Sequence, residues 1–101
     1  LDGSRSPFDQ LEEIVSAVGD KIDILMDSGG RRGTHVLKTL SLGAKAVGIG
    51  RYYLFPLAAA GQIGVERALE LMRAEIVRNM RLMGCRSIND LNPSNLRYRA
   101  K

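Results

Sequence analysis

The order of segments along the chain predicts an α/β fold with parallel strands. Amphipathic segments alternate with short apolar runs, in the order helix, strand, helix, strand, helix, and the connections are short. This alternation is typical of strands linked by crossover helices. Both apolar runs end in glycine and arginine, at residues 27–34 (DSGGRRGT) and 48–51 (GIGR). Because the loops after the last two strands of a (β/α)₈ barrel frequently hold phosphate, we predict the C-terminal portion of such a TIM barrel.

The length of the chain limits this prediction. A complete (β/α)₈ barrel takes roughly 250 residues, whereas this chain has 101 residues and begins at Leu1. Two strands alone would leave unpaired edges and an uncovered apolar face. We therefore expect residues 1–101 to supply the last two strands and helices of a single barrel domain. Residues 85–101 would be its C-terminal tail, and the remainder of the barrel would be its partner.

Capping and spacing predict the first helix and the first strand. Ser6 is a suitable helix cap, and Pro7 would take the first helical position, where its missing N–H costs nothing. The apolar positions that follow keep helical spacing: Leu11, Ile14, Val15 and Val18. Residues 22–26 then predict a short strand. Its consecutive apolar residues indicate a strand that is covered on both faces.

A second helix and strand follow in the same way. Residues 34–42 predict a helix, and Gly43 lies where a helix commonly ends. The apolar stripe of this helix consists of Val36, Leu37 and Leu40. Residues 44–49 are small and apolar throughout, which predicts the second strand. The strand–helix–strand unit is expected to be right-handed.

The last third of the chain is predicted to be mainly helical. Residues 52–64 contain Pro56 and predict a loop or a short helix. Residues 65–83 predict the longest helix, with apolar residues on one face and charges on the other. Residues 87–90 resemble a helix start, which Asn92-Pro93 would end.

Composition excludes several classes of function. Hydrophobic residues make up 45% of the chain, and no apolar run approaches the ~18 residues of a transmembrane segment. The formal net charge is +4, with late basic residues that include Arg99 and Lys101. Aromatic residues are sparse and no nucleic-acid motif occurs, so no nucleic-acid partner is expected. The single cysteine, Cys85, fits a reducing compartment such as the cytoplasm, and membrane association of the parent protein stays open.

The first glycine-arginine segment carries the chemistry of an anion site. Gly29 and Gly30 allow a tight turn and a close approach of the backbone to an anion. One of the next two residues, Arg31 and Arg32, is expected to reach a phosphate through its planar guanidinium. The other would point to solvent or to a carboxylate. The N-terminus of the helix at Thr34 would add its dipole to the same site.

The second segment would form the opposite wall of this site. Glycines in a strand mark the close approach of a ligand, and Arg51 would be a second phosphate arginine. Asp27, at the end of the first strand, can accept a hydrogen bond from a sugar or ribityl hydroxyl, or it can be a solvated loop carboxylate. The predicted binding residues are Asp27, Ser28, Gly29, Gly30, Arg31, Gly50 and Arg51.

The sequence contains no recognisable catalytic set. His35 is the only histidine, and it would lie in the first turn of a helix, where a positive charge is disfavoured. No Ser-His-Asp arrangement and no cluster with metal-ligand spacing occurs. These observations predict a site that binds, without a catalytic base or a metal of its own.

Several segments resemble the FMN-dependent α-hydroxy acid dehydrogenase/oxidase family, which includes glycolate oxidase, L-lactate dehydrogenase of the flavocytochrome b₂ type and mandelate dehydrogenase. Residues 27–34 are similar to its Asp-Gly-Gly-Val-Arg-Arg-Gly-Thr motif, and residues 42–51 to the strand that follows. Residues 61–66 and 80–84 are similar to its last helix. Residues 1–3 are similar to the end of its active-site segment, His-Gly-Gly-Arg-Gln-Leu-Asp-Gly.

The resemblance implies FMN as cofactor and gives each residue of the site a role. Asp27 would contact the ribityl chain of FMN, and Gly29 and Gly30 would form the binding loop. Arg31 and the Gly50-Arg51 pair would hold the phosphate. The family's catalytic histidine and substrate arginine correspond to positions before Leu1, so this chain would supply only the phosphate half of the site.

The resemblance also implies the activity of the parent protein. It would oxidise small L-2-hydroxy acids, such as lactate, glycolate or mandelate, to 2-oxo acids, and it would form a homotetramer. Two other interpretations stay open. One is another phosphate-binding barrel, similar to inosine monophosphate dehydrogenase or to the FMN-dependent isopentenyl diphosphate isomerases, and the other is an isolated fragment without catalysis.

Four positions depart from the family's pattern. Ser28 stands in place of glycine, and Gly30 stands in place of a branched residue. His35 stands where aspartate is usual, and Tyr52 where proline is usual. Because none of the four is a phosphate arginine, the expectation of FMN binding is unchanged.

Overall fold

The computed structural model describes residues 2–98. Its regular elements are α1 (Pro7–Val18), β1 (Leu25–Met26), α2 (Gly33–Ser41), β2 (Ala46–Val47) and α3 (Gly50–Met83), followed by 3₁₀ turns at Ile88–Asp90 and Pro93–Asn95. The predicted order of helices and strands is confirmed. Leu1, the start of the segment resembling an active site, lies outside the described residues, as do Arg99 and Lys101 of the basic tail.

The two strands pair in parallel, as predicted. Leu25 lies opposite Ala46, and Met26 lies opposite Val47. Further backbone bonds of 2.8 Å run from the N–H of Lys45 to Ile24 and from the N–H of Gly48 to Met26. Both strands are shorter than the predicted runs, residues 22–26 and 44–49. Within the described residues each strand has a single neighbour, so regular pairing is limited to the positions where these two meet.

The sheet has one covered face and one open face. Ile24 and Met26 are buried in the core with Leu11 of α1 and Leu42 and Ala44 near the end of α2. Leu25, which points the other way, is 69% exposed. The expectation that the first strand is covered on both faces is therefore wrong for residues 2–98. Within the described residues this face of the strand has no cover.

The start of α1 follows from its capping residues. The hydroxyl of Ser6 accepts a hydrogen bond of 3.1 Å from the N–H of Asp9, and Pro7 occupies the first turn. Leu11 is buried, and Val15 and Val18 pack against the core from the same face of the helix. The predicted cap is thus confirmed, and so are three members of the predicted apolar stripe. The fourth, Ile14, is 43% exposed and does not join the core.

Helix α3 decides between the two alternatives predicted for residues 52–64, a loop or a short helix, in favour of the helix. This segment is helical from Gly50 onwards, and the interruption lies at Ala60 and Gly61, whose backbone angles are not helical. Pro56 is accommodated inside the first half of α3 and does not end it. The second half then continues to Met83, as predicted. The halves stay in contact across the break, because the hydroxyl of Tyr52 donates to the carbonyl of Ala68 at 2.8 Å.

Helices α2 and α3 dock closely through Gly33. A Cβ atom at this position would lie 2.8 Å from the backbone N of Ile76 and 3.1 Å from the carbonyl carbon of Glu75. Backbone atoms cannot move aside as the end of a side chain can, so the contact requires glycine. The docking fixes α2, and with it the preceding loop, against the second half of α3.

The helix start predicted at residues 87–90 is a single 3₁₀ turn, Ile88–Asp90, capped by Ser87, and a second capped 3₁₀ turn, Pro93–Asn95, follows it. The carboxylate of Asp90 accepts from the N–H of Ser87, whose hydroxyl accepts from the N–H of Asn89. Asn95, Asn92 and Ser94 repeat the arrangement in the next turn. Each turn ends after three residues because the next residue is extended. Leu96 then packs against the core.

Candidate phosphate-binding site

A cleft of about 380 Å³ lies where the two strands end and α3 begins. It brings Gly29, Gly30 and Arg31 of the first loop together with Gly50 and Arg51 of the second. Its other wall consists of residues from both halves of α3: Tyr52, Phe55, Pro56, Ala68 and Leu71. Residues twenty positions apart in sequence therefore share one site, because adjacent parallel strands end at the same edge of the sheet.

The approach of the two loops depends on Gly30. A Cβ atom here would lie 3.1 Å from the carbonyl oxygen of Gly48 and 3.3 Å from Cγ1 of Val47. Gly30 is itself buried. A branched side chain, which the resembling family has at this position, would have to displace β2 or its following loop. The close contact between the two loops at this point is thus one that glycine permits.

The guanidinium groups of Arg31 and Arg51 are exposed at the cleft, and neither takes part in an ion pair within residues 2–98. Arg32 differs. Its Nε donates to Oε1 of Glu75 at 2.9 Å, and Glu75 also accepts from the backbone N–H of Gly33 at 2.8 Å. The prediction that one of the adjacent arginines meets a carboxylate is therefore confirmed for Arg32. Arg31 forms no ion pair among the described residues and lines the cleft.

The pairing lowers the pKa of the Glu75 carboxyl from its ordinary 4.5 to about 2. The hydrogen bond from Arg32 is the largest cause, and the N–H of Gly33 is the next. The same contact raises the pKa of the Arg32 guanidinium. Glu75 thus stays ionised over the physiological range and holds the start of α2 in place. Sequence reasoning missed this residue, because nothing in the local pattern links α2 to a carboxylate in α3.

The helix N-terminus that lines the cleft is that of α3, and not the predicted N-terminus of α2. The carboxylate of Glu75 accepts from the first N–H of α2, at Gly33, so a group of the protein itself already lies at this helix end. Helix α3 begins at Gly50 with Ile49 as cap, and no side chain caps it. Its first turn contains no acidic residue. Uncapped N–H groups and the positive end of the dipole favour an anion beside Gly50 and Arg51.

Asp27 and Ser28 lie next to the cleft but do not line it. Oδ1 of Asp27 accepts from the N–H of Ser28 at 2.7 Å. A Cβ atom at Gly48 would lie 2.6 Å from the same oxygen, so the carboxylate rests against the second loop. Ser28 has φ of 108°, a region that favours glycine. Serine in place of the family's usual glycine therefore strains this turn.

His35 lies behind the loop. Its Nδ1 is 3.3 Å from the backbone N of Arg31 and 3.2 Å from the carbonyl oxygen of Gly29. The sequence gave no sign of this contact, since histidine in a first helical turn is ordinarily a surface residue. The sequence likewise gives no sign that Tyr52, which departs from the family pattern, connects the start of α3 to its second half.

Within residues 2–98, no group of three or more histidine, cysteine or carboxylate side chains is arranged to hold a metal ion. No helix of this described part is long and apolar enough to cross a membrane. The chemistry assembled at the cleft is that of anion binding: two unpaired guanidinium groups, glycine backbone and an uncapped helix start. These groups fit a phosphate.

The fold and this site define the class of protein to which the chain belongs. The family model of the FMN-dependent dehydrogenases matches residues 1–98. The chain is therefore a member of the FMN-dependent dehydrogenase family, whose cofactor is FMN. The family predicted from the sequence is confirmed.

Individual relatives agree with this membership. The chain is 46% identical over 96 residues to pre-mycofactocin synthase of Mycolicibacterium smegmatis, which covers 95% of the chain and 24% of that protein. It is 44% identical over 105 residues to L-lactate dehydrogenase (cytochrome) of Wickerhamomyces anomalus, covering 99% of the chain and 18% of that protein. The chain thus spans a quarter or less of the length of these two relatives.

Similar solved structures are TIM-barrel flavoenzymes. The monotopic membrane protein (S)-mandelate dehydrogenase superimposes with a TM-score of 0.92 at 41% identity, over 98% of this chain and 26% of that one. The α/β class is therefore confirmed, and the chain corresponds to part of such a barrel.

Proposed function

We propose that the cleft between the two loops binds the phosphate of FMN. Arg31 and Arg51 would donate to the phosphate oxygens, and the uncapped start of α3 at Gly50 would add backbone N–H groups. The observation that carries this proposal is that both guanidinium groups line the cleft without an ion pair in residues 2–98. Because unpaired arginines beside a helix N-terminus repel each other, a dianionic ligand would stabilise the arrangement.

The other predicted residues take supporting roles in this proposal. Gly29 and Gly30 would let the loop approach the phosphate without side chains in the way. Asp27, held against the second loop, would accept a hydrogen bond from a ribityl hydroxyl. Ser28 would shape the turn between them. All of these residues bind and orient, and none transfers a proton.

We further propose that the chain is the C-terminal portion of its barrel. The open side of the sheet at Leu25 and the side chain of Phe55 in the cleft wall, which is 71% exposed, support a partner surface of this kind. The strands and loops that precede residue 1 in the parent protein would cover these apolar groups. A homotetramer stays a prediction from the family resemblance, and a cytoplasmic location stays a prediction from the single cysteine.

The parent protein would oxidise a small L-2-hydroxy acid to a 2-oxo acid. The relative named L-lactate dehydrogenase (cytochrome) supports this reaction class. Bound FMN would supply the hydride acceptor, and the catalytic base and the substrate-binding groups would come from the rest of the barrel. The relative named pre-mycofactocin synthase shows that similarity in this segment does not fix the substrate.

Replacement of the cleft arginines tests the phosphate site. In the full-length protein, Arg31→Met and Arg51→Met should each weaken FMN binding by about 10- to 100-fold, since a hydrogen bond between charged partners is worth ~1.5–3 kcal/mol. The dissociation constant is measured by quenching of flavin fluorescence. Arg73→Met is the matched control, because Arg73 is an exposed arginine of α3 that does not line the cleft. Unchanged affinity in both cleft variants would refute the site.

A further inference from the structure

One ring nitrogen, Nδ1 of His35, lies within hydrogen-bond distance of two backbone groups of the loop that carries Arg31. Nδ1 of His35 lies within hydrogen-bond distance of a donor, the N–H of Arg31 at 3.3 Å, and of an acceptor, the carbonyl of Gly29 at 3.2 Å. One ring nitrogen either accepts through its lone pair or donates through its proton. The imidazole protonated only on Nε2 therefore binds Arg31. An imidazole protonated on Nδ1 binds Gly29 and leaves the N–H of Arg31 without this acceptor.

We propose that His35 is a positioning residue for the phosphate site, and that its protonation shifts Nδ1 from Arg31 to Gly29 and so weakens phosphate binding. This inference rests on the proposed function of the cleft. Arg31 is the residue at which the glycine turn ends and its guanidinium leaves towards the cleft. A hydrogen bond on its amide fixes the backbone plane from which the side chain extends. Loss of this bond frees that direction.

The side chains of α1, β1 and α2 beside His35 do not bond to its ring, so the partners of Nδ1 are the backbone groups of the loop. The ring lines a second cleft, of about 240 Å³, on the other side of the loop. α1 contributes Phe8 and β1 contributes Met26, neither of which titrates, and Thr39 of α2 directs its hydroxyl to the sulfur of Met26. No hydrogen bond from these side chains to the ring occurs.

The charged groups around this end of α2 are already engaged or are cations. Lys38, on the same helix, lines the second cleft. The carboxylate of Asp27 accepts from the N–H of Ser28, and that of Glu75 accepts from Arg32 and Gly33. Arg31 itself faces the first cleft. No carboxylate among residues 2–98 therefore forms an ion pair with His35, and its protonation acts on the loop.

The device depends on histidine at this position. Imidazole is the side chain whose charge ordinarily changes between about pH 5 and pH 8. Aspartate, which the resembling family has here, accepts hydrogen bonds throughout that range. With histidine in place of aspartate, the hydrogen-bond acceptor for the loop is present only while the imidazole is unprotonated.

The test compares FMN binding by the full-length apoprotein of wild type, His35→Asn and His35→Leu from about pH 8 to about pH 5.5. Asparagine keeps an acceptor that does not titrate, and leucine removes it. At the upper pH, wild type and His35→Asn should bind FMN equally, and His35→Leu about tenfold more weakly. On acidification, wild type should lose about tenfold more affinity than His35→Asn. The asparagine variant thus subtracts the titration of the FMN phosphate, whose second pKa is about 6.

Riboflavin is the second probe, because it lacks the phosphate. The additional loss in wild type should vanish with riboflavin, whereas a general loosening of the fold would affect both flavins. Coinciding pH profiles of wild type and His35→Asn for FMN would overturn the role of His35. If Arg31→Met nevertheless weakens FMN binding, the phosphate site stands and only the positioning role fails. If Arg31→Met and Arg51→Met change nothing, the proposed function fails first.

Discussion

Arg31 and Arg32 are adjacent in sequence and have different surroundings. Glu75, 43 residues after Arg32, takes the second arginine and leaves the first at the cleft. The sequence predicted that one of the two would meet a carboxylate. It could not predict which one, because the choice depends on a contact between separate helices. Local patterns carry turn chemistry and amphipathicity, and they carry no information about such pairs.

Ser28 has a backbone conformation that favours glycine. A non-glycine residue at φ of 108° costs of order 1–3 kcal/mol. Ser28→Gly removes this strain, which raises the free energy of unfolding. Glycine also increases the entropy of the unfolded chain, which offsets part of that increase. We expect a net increase of about 1 kcal/mol in the free energy of unfolding, measured by urea denaturation of the full-length protein.

Ser16, an exposed serine inside α1, is the matched control for this substitution. Its backbone is helical, so Ser16→Gly should lower the free energy of unfolding by about 0.5 kcal/mol. A loss of stability in Ser28→Gly equal to that in Ser16→Gly would show that the turn at Ser28 is not strained.

The helices position the site through the close packing of α2 against α3 at Gly33. The sequence predicted α2 and the second half of α3 from their spacing, and it predicted the end of β1 from its apolar run. The first half of α3 was obscured by Pro56, which is ordinarily a helix breaker. The contact of Gly33 with the backbone at Ile76 was also hidden, because a glycine in a glycine-rich loop is ordinarily explained by the loop itself.

Gly33→Ala tests the dock between the helices. The added Cβ would lie 2.8 Å from the backbone N of Ile76, so one helix must shift. Overpacking of this kind costs about 1–3 kcal/mol, and we expect that loss of unfolding free energy in urea denaturation. Gly50→Ala is the control for stability, since its Cβ would have no atom within 4 Å. Equal stability of the two variants would contradict the close dock.

The pair of Glu75 with Arg32 makes the stability of this dock depend on pH. The pKa of Glu75 is about 2 in the folded protein against an ordinary 4.5. A lowered pKa in the folded state means that the contribution is complete above about pH 4.5 and is lost as the pH falls towards 2. The difference in unfolding free energy between wild type and Glu75→Gln should therefore be constant near neutrality and shrink in acid.

Urea denaturation at a series of pH values measures this difference. Glu70→Gln is the control, because Glu70 forms only an exposed pair with Arg67 on the same helix. It should show a small effect at every pH. A difference for Glu75→Gln that does not change between neutral pH and pH about 2 would contradict the assigned pairing.

At the scale of the whole molecule, the uncovered apolar surface and the family membership both favour further elements or partners that pack against this segment. Leu25 in the sheet and Leu82 near the end of α3 are 69% and 81% exposed. Such surfaces are covered in stable proteins by further elements or by partners. From two strands and their consecutive apolar residues, the sequence predicted apolar surface that this segment leaves uncovered. The break at Ala60 and Gly61, and the tie between Tyr52 and Ala68, required the structure.

The measurement that tests the central claim most directly is the ratio of FMN to riboflavin affinity in the full-length protein. The two flavins differ only in the phosphate, so the ratio isolates the contribution of the cleft. We predict that wild type prefers FMN strongly, and that Arg31→Met lowers this preference by about 10- to 100-fold while riboflavin binding stays unchanged. A preference that is equal in wild type and in Arg31→Met would contradict the assignment of this cleft as the phosphate site.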